Sequence, residues 1–474
     1  MYVPNVQVYD KMDMRVPYDL KRKNYYHMKL VYITKRIAIL TLCTLPAFAF
    51  AQNKWTLEDC INYAVSNNLE IKTSELNTEN QKIKLSQAKN QILPDLSASF
   101  SPSINFGTGL NDKNLYVQQN SQSASASIST SMILFSGFKV KNAIDAQNYS
   151  LQASSEELKK AKESLAVSIA SAYLQVLYNK ELYQIAQEQV SLSQIQADQS
   201  ETKAALGKIP EGQVFEARAQ LAKDKYNATE SKGTLQLSLL ELSQMLELKE
   251  WNDFDISVPV IDMKTLALNI QPADEVYNYA LMNKSDVKAS ELRLKSSEKS
   301  LDVTKGSLYP SVYLGASYSN RYYSEQSNLD GTNANLGDQL DVNGGTSVGL
   351  SVSIPLFNRL DTKNNIKISK IEVEKAKLEV ESTKKTLYKE IQQAWFNASK
   401  ASENYYSSVE NVNNSEEAYR FAEEKYNNGR ATIYEYNEAK MNLATARSNQ
   451  LQAKYNYLFC VKILDFYKGE PLKL

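Results

Sequence analysis

Histidine is almost missing from this chain. Its 474 residues include one, His27, which lies ahead of the expected start of the exported protein. The mature chain would then lack the side chain best suited to acid–base work near neutral pH. Ser–His and Cys–His nucleophiles are excluded with it, and so are most zinc sites. Neither an enzyme, a cofactor nor a metal centre is implied. Cysteine is scarce too: Cys43 lies in the expected export segment, leaving Cys60 and Cys460 far apart, a pair whose bonding the sequence leaves open. The 15 glycines and 11 prolines are few for this length, and a shortage of breakers suits long helices. Net charge is absent as well, with Lys+Arg and Asp+Glu equal at 54. No field points to nucleic acid. One short apolar run near the N terminus is too short to cross a bilayer as a helix, and no second long apolar stretch follows it.

That run belongs to an export signal. From Met28, the residues Lys29, Lys35 and Arg36 form a basic start, Ile37 to Leu45 an apolar stretch, and Ala49-Phe50-Ala51 a small-x-small cleavage site. Residues 28–51 therefore read as a signal peptide, 1–27 as an over-extended N-terminus, and Gln52 as the first mature residue. Leu42 before Cys43 does not make a lipid-attachment motif.

The remainder is written twice. Tyr63-Ala64 returns as Tyr279-Ala280 and Pro94 as Pro310, both 216 residues later. Farther on, Leu134-Phe135 matches Leu356-Phe357, Gly207 matches Gly429 and Glu216-Ala217 matches Glu438-Ala439, all 222 residues later. The second copy thus carries six extra residues between Pro310 and Leu356. The expected organisation is a first structural repeat over 52–247, a connection over 248–272, a second repeat over 273–466 and a tail over 467–474.

Between Pro94 and Phe135 the apolar period is two. Leu96, Ala98, Phe100, Ile104 and Phe106 alternate with serines and an asparagine, and the return strand carries Ala124, Ala126, Ile128, Met132 and Leu134. The second repeat does the same with Val312, Leu314 and Ala316, then Val348, Leu350, Val352 and Ile354. Four strands of roughly ten residues, apolar on one face and small-polar on the other, fit a transmembrane barrel with a wet lumen. A soluble sheet would carry Lys and Glu on its outer face. Four strands cannot close a barrel, and open edges are not tolerated in lipid, so subunits must share the wall. The loops 107–121 and Asn320–Gly345 would face outward.

Helical patterns surround the strands. Residues 56–90 and 273–305 predict helices before each pair. Residues 139–206 and 361–428 run without Pro or Gly, each about 100 Å long at 1.5 Å per residue. They end at turns around Gly207 and Gly429, and return helices follow over 211–246 and 432–466.

Taken together, these features resemble the outer-membrane efflux protein family, the TolC-like channel-tunnels. The carriers are the duplicated order, Ser353-Ile354-Pro355-Leu356-Phe357, Phe135-Ser136-Gly137, Tyr426-Asn427-Asn428-Gly429 and Ala217-Arg218-Ala219-Gln220. The resemblance spans Trp55 to Tyr467. It implies a mixed α/β membrane protein, a homotrimer with four strands per chain in one barrel and a long antiparallel coiled-coil tunnel in the periplasm. It further implies a mixed band around the tunnel, here Lys249–Ile270 with Trp251, Phe254 and Pro259, plus the tail. The partners it implies are a periplasmic adaptor, an inner-membrane transporter and outer-membrane lipid.

By the same resemblance the turns close the periplasmic mouth. Glu435 and Glu438 would form a cation-attracting ring, with Glu216 the counterpart of Glu438 in the first repeat. Tyr426 stands at the gate tyrosine's position. Arg430 is displaced by one from the family's arginine, and Gln213 replaces an aspartate. The turns themselves, Gly207-Lys208 and Gly429-Arg430, would dock the adaptor. A different reading of the chain is a periplasmic coiled-coil adaptor or structural protein with a small β domain.

Overall fold

The computed structural model describes residues 54–110, 114–261, 263, 271–324 and 334–474. The expected signal peptide and the residues before it lie outside these. In chain order the elements are α1 (Leu57–Asn67), α2 (Leu69–Asn90), β1 (Ser97–Leu110), β2 (Tyr116–Phe135), α3 (Lys139–Ala205) and α4 (Glu211–Met245). Then follow α5 (Ala273–Asn283), α6 (Ser285–Gly306), β3 (Ser311–Tyr323), α7 (Leu336–Val342), β4 (Gly345–Ser353), α8 (Asp361–Asn427) and α9 (Ile433–Tyr467). Helix lengths recur across the two halves: 11, 22, 67 and 35 residues in each.

The helices expected before the strands are each broken once. Asn68 takes extended backbone, and its side chain accepts from the Glu70 N–H, so it starts a new helix. Its amide also donates to the Met245 carbonyl at 3.2 Å, tying the break to the end of α4. Lys284 makes the equivalent break. Its ammonium sits 3.2 Å from the centre of the Phe466 ring and 3.4 Å from Glu163. Tertiary partners, which periodicity cannot register, decide both breaks.

The sheet is antiparallel in the order β1-β2-β3-β4. Its register puts serine opposite serine: Ser97 on Ser129, Ser99 on Ser127 and Ser317 on Ser347, each pair with hydroxyl oxygens 2.8 Å apart. The other face exposes Phe100, Ile104, Phe106, Val348, Leu350 and Val352. β2 has 20 residues, twice the expected length, and β1 and β2 reach into the stretch expected as loop. The second loop holds the short helix α7.

Below the sheet, each strand pair turns into a long helix through two left-handed residues. In the first they are Gly137 and Phe138, in the second Arg359 and Leu360. Gly137 and Gly306 cross with no room for a side chain. A Cβ on Gly137 would overlap the Gly306 carbonyl oxygen, and one on Gly306 would come within 2.7 Å of the Gly137 oxygen.

α3 packs along α4 and α6, α8 along α9 and α6, and α9 against α3. The largest core joins α1, the middle of α3, the end of α4 and α9. Phe254 and Ile256 of the connection enter it, as does Leu472 of the tail. Trp55 bridges in parallel to Ile256 and meets Tyr63 and Phe254 edge-on. The Tyr173 hydroxyl, on α3, donates to the Ser257 carbonyl at 2.7 Å. Cys60 is buried and Cys460 half-buried, and both thiols are free. Among the described residues no helix is long and apolar enough to cross a membrane.

Candidate functional site at the two helical turns

Both turns are built alike. Gly207 (φ +68°) and Gly429 (φ +70°) adopt the left-handed conformation that ends a helix. The Lys208 N–H reaches back to the Lys203 carbonyl at 2.9 Å, and the Arg430 N–H to the Lys425 carbonyl at 2.8 Å. Gly207, Lys208, Gly429 and Arg430 are all exposed. The turns diverge after the glycine. Thr432 and Glu435 form a capping box at the start of α9, in which the Glu435 carboxylate accepts from the Thr432 N–H at 2.9 Å. At the start of α4, Pro210 takes the cap position without a side-chain bond and Gln213 is half-buried.

Tyr426 joins the two hairpins. Its ring stacks on Tyr436 with centroids 5.2 Å apart, and Lys203 of α3 lies 5.7 Å above it. Burial pushes its hydroxyl pKa up; the Gln196 amide works against the rise and the Glu216 carboxylate adds to it. Tyr436 passes the contact on to Tyr419, with hydroxyls 3.0 Å apart, and Tyr419 donates to Glu423 at 3.2 Å. Burial is the main cause of the raised pKa values of Tyr419 and Tyr436. Of the residues expected at the gate, Glu216 is the one whose charge acts on Tyr426. Among the described residues no hydrogen bond within the chain links Gln213 to Tyr426. Glu438 is exposed on α9 one turn beyond Glu435, so the carboxylate committed to a cap and the uncommitted one sit side by side.

A buried charge cluster beside the turns was not expected. Lys440 on α9 donates to Ser193 of α3 at 2.6 Å and lies 3.6 Å from Asp224 of α4. Ser193 in turn donates to Asp224, and Gln220 donates to its other oxygen at 2.9 Å. Burial holds the Lys440 amine below the usual lysine range, and Asp224 offsets part of that fall. A 320 Å³ cavity lies alongside, lined in part by Asn227, Asn437 and Met441. In the sequence, Lys440 looks like one more lysine on a solvated helix face. Only the packing of α9 against α3 and α4 removes it from water.

A buried cross-hairpin contact, glycine-ended turns and a sheet with one serine face and one apolar face define a class, the channel-tunnel subunits. The chain belongs to the outer membrane efflux protein family, whose model matches residues 61–247 and 276–465. Among curated relatives, it is 21% identical over 404 residues to the toxin and drug export protein A of Aggregatibacter actinomycetemcomitans, covering 85% of this chain and 83% of that one. Among solved structures it is similar to CusC, with a TM-score of 0.75 at 17% identity over 88% of this chain and 93% of CusC. The Campylobacter jejuni CmeC outer membrane channel gives a TM-score of 0.73 at 18% identity, over 88% and 86% of the two chains. The open-state Neisseria gonorrhoeae MtrE channel gives 0.69 at 19%, over 88% and 90%. These structural likenesses concern the fold.

Proposed function

We propose that the chain is one subunit of a trimeric outer-membrane exit duct that conducts substrates passively from a periplasmic adaptor and inner-membrane pump. The observation that carries this reading is the sheet. β1 and β4 are unpaired at its two edges, while its apolar face is exposed along its length. In lipid such edges must be satisfied by another copy, and joining β4 of one copy to β1 of the next repeats head to tail until the ring closes.

The helices below carry the same signature. Leu69, Leu76 and Ile83 on α2 are exposed at seven-residue spacing, and Ile368, Ile371 and Leu378 are exposed on α8. Counted from the sheet, Ile83 lies seven residues below the end of α2, and Ile368 seven below the start of α8. Matched apolar stripes on the two flanking helices suit a coiled-coil contact between copies. Three copies of four strands would make a barrel of twelve. The recurring helix lengths and the double family match support duplication of an ancestral half.

At the periplasmic end, Tyr426, Glu216, Gln213 and Arg430 would form the gate, Glu438 the acidic ring with Glu435 held to the α9 cap beside it, and the two glycine turns the adaptor's docking points. The relative's name, toxin and drug export protein A, supports export as the role. The test is conductance of the purified protein in planar lipid bilayers. The duct reading expects discrete channel steps from a detergent-extracted oligomer. Extraction into buffer without detergent, with no channel steps, would favour the adaptor reading.

A further inference from the structure

β4 is five residues shorter than β1, with nine against fourteen. Along β3 the deficit is filled by α7. Where β4 stops, at Gly345 opposite Ser319, side chains from the α7 region take over the ladder of β3. The Tyr323 N–H donates to the Gln339 side-chain oxygen at 2.7 Å, and the Gln339 amide donates back to the Tyr323 carbonyl at 2.8 Å. Asn343 donates to the Arg321 carbonyl at 2.7 Å. Gln339, fully buried at 0% exposure, thus behaves as a strand peptide would. α7 stands in the wall at the place of a longer β4.

It is also held to one side. Asn320 lies on the face shared by Leu314 and Tyr318, three positions and one position of the alternation below it, and its amide donates to the Leu340 carbonyl at 2.7 Å. This is the apolar face. Yet α7 leaves Leu336, Leu340 and Val342 exposed, Val342 at 76%, so its own apolar side has no partner among the described residues.

The geometry points to a second copy as that partner: we propose that α7 clasps the outer end of β1, Phe106–Leu110, of the next copy. The proposal rests on the head-to-tail ring argued above. At the base, Ser97 follows the end of α2 by seven residues and Ser353 precedes α8 by eight, so the two strand ends are level. Counting outward from there, Gly345 falls beside the next copy's Asn105. Phe106 to Leu110 then extend past β4, alongside α7. Phe106 and Leu110 lie on the apolar face of β1, the face to which α7 is bound, and are exposed in the single chain at 78% and 52%. The apolar side chains of α7 and the overhang of β1 would cover each other, closing the rim where backbone pairing has run out.

Cysteine cross-linking tests this in the full-length protein, expressed in outer membranes with Cys460→Ser as background. A base pair, Ile83→Cys with Ile368→Cys, reports on the ring. Two rim pairs, Leu340→Cys with Phe106→Cys and Leu336→Cys with Leu110→Cys, report on the clasp. Under copper–phenanthroline oxidation, the base pair and at least one rim pair should give covalent dimers and trimers on denaturing gels, while the background chain with its buried Cys60, and chains with only one of the two introduced cysteines, remain monomeric. If the base pair links and neither rim pair does, the clasp is overturned while the ring stands, and α7 faces lipid instead. If the base pair also fails, the ring fails and the clasp with it.

Discussion

Lys440 and Asp224 show what one residue can decide. A buried ion pair adds little over a well-packed apolar pair, but removing one partner strands the other charge at a cost of about 3–5 kcal/mol. Asp224→Ala should therefore lower the melting temperature markedly in detergent. Asp224→Leu with Lys440→Met should recover most of the loss, and a thermal melt followed by circular dichroism reads both. The left-handed elbows give a second contrast. Gly137→Ala meets the Gly306 carbonyl as well as an unfavourable φ, so the variant should melt at a clearly lower temperature. At the matching elbow, Arg359 holds φ +55° with a side chain. There Arg359→Gly relieves strain of about 1 kcal/mol at some entropic cost and should be close to neutral. Both pairs were hidden in the sequence, because neither a buried lysine nor a backbone crossing leaves a periodic signal.

At the scale of elements, the helices were legible and their junctions were not. The expected spans of the long helices match the observed α3 and α8 to within a residue, since a glycine ends each one and no breaker interrupts it. The kinks at Asn68 and Lys284 depend on Met245, Glu163 and Phe466, far off in sequence. The start of α9 supplies a prediction that separates two neighbouring acids. Glu435 serves the capping box, so Glu435→Ala should cost about 1 kcal/mol or less of helix stability and change cation selectivity little. Glu438 has no such duty, and Glu438→Ala should reduce cation selectivity, measured as a shift in reversal potential across a salt gradient. Equal shifts from both variants would return Glu435 to the ring.

For the whole molecule, alkali probes the central core. Burial pushes the Cys60 thiol and the Tyr173 hydroxyl each up to about 12, from 9.0 and 10.0. Both groups keep their protons in the folded state while the unfolded chain loses them. Stability should then be unaffected below about pH 9 and fall progressively between about pH 9 and pH 12. Cys60→Ala should remove the earlier part of that fall, and thermal melts across the range would show it. In the proposed duct this core would serve a larger unit, because the chain's edges, β1 with α2 and β4 with α8, would be completed by other copies.

Local sequence carried the long helices and their turns, and a sheet with one serine face and one apolar face. Each of these follows from local periodicity and from where breakers fall, which a single chain segment carries. Tertiary structure alone decided that Lys440 is buried, that Gly137 and Gly306 touch, that Glu435 is spent on a cap, and that a glutamine extends the edge of β3. Those outcomes depend on which distant segments meet. Hydrophobic patterning specifies the face that packs, but not the partner or the depth at which it does so.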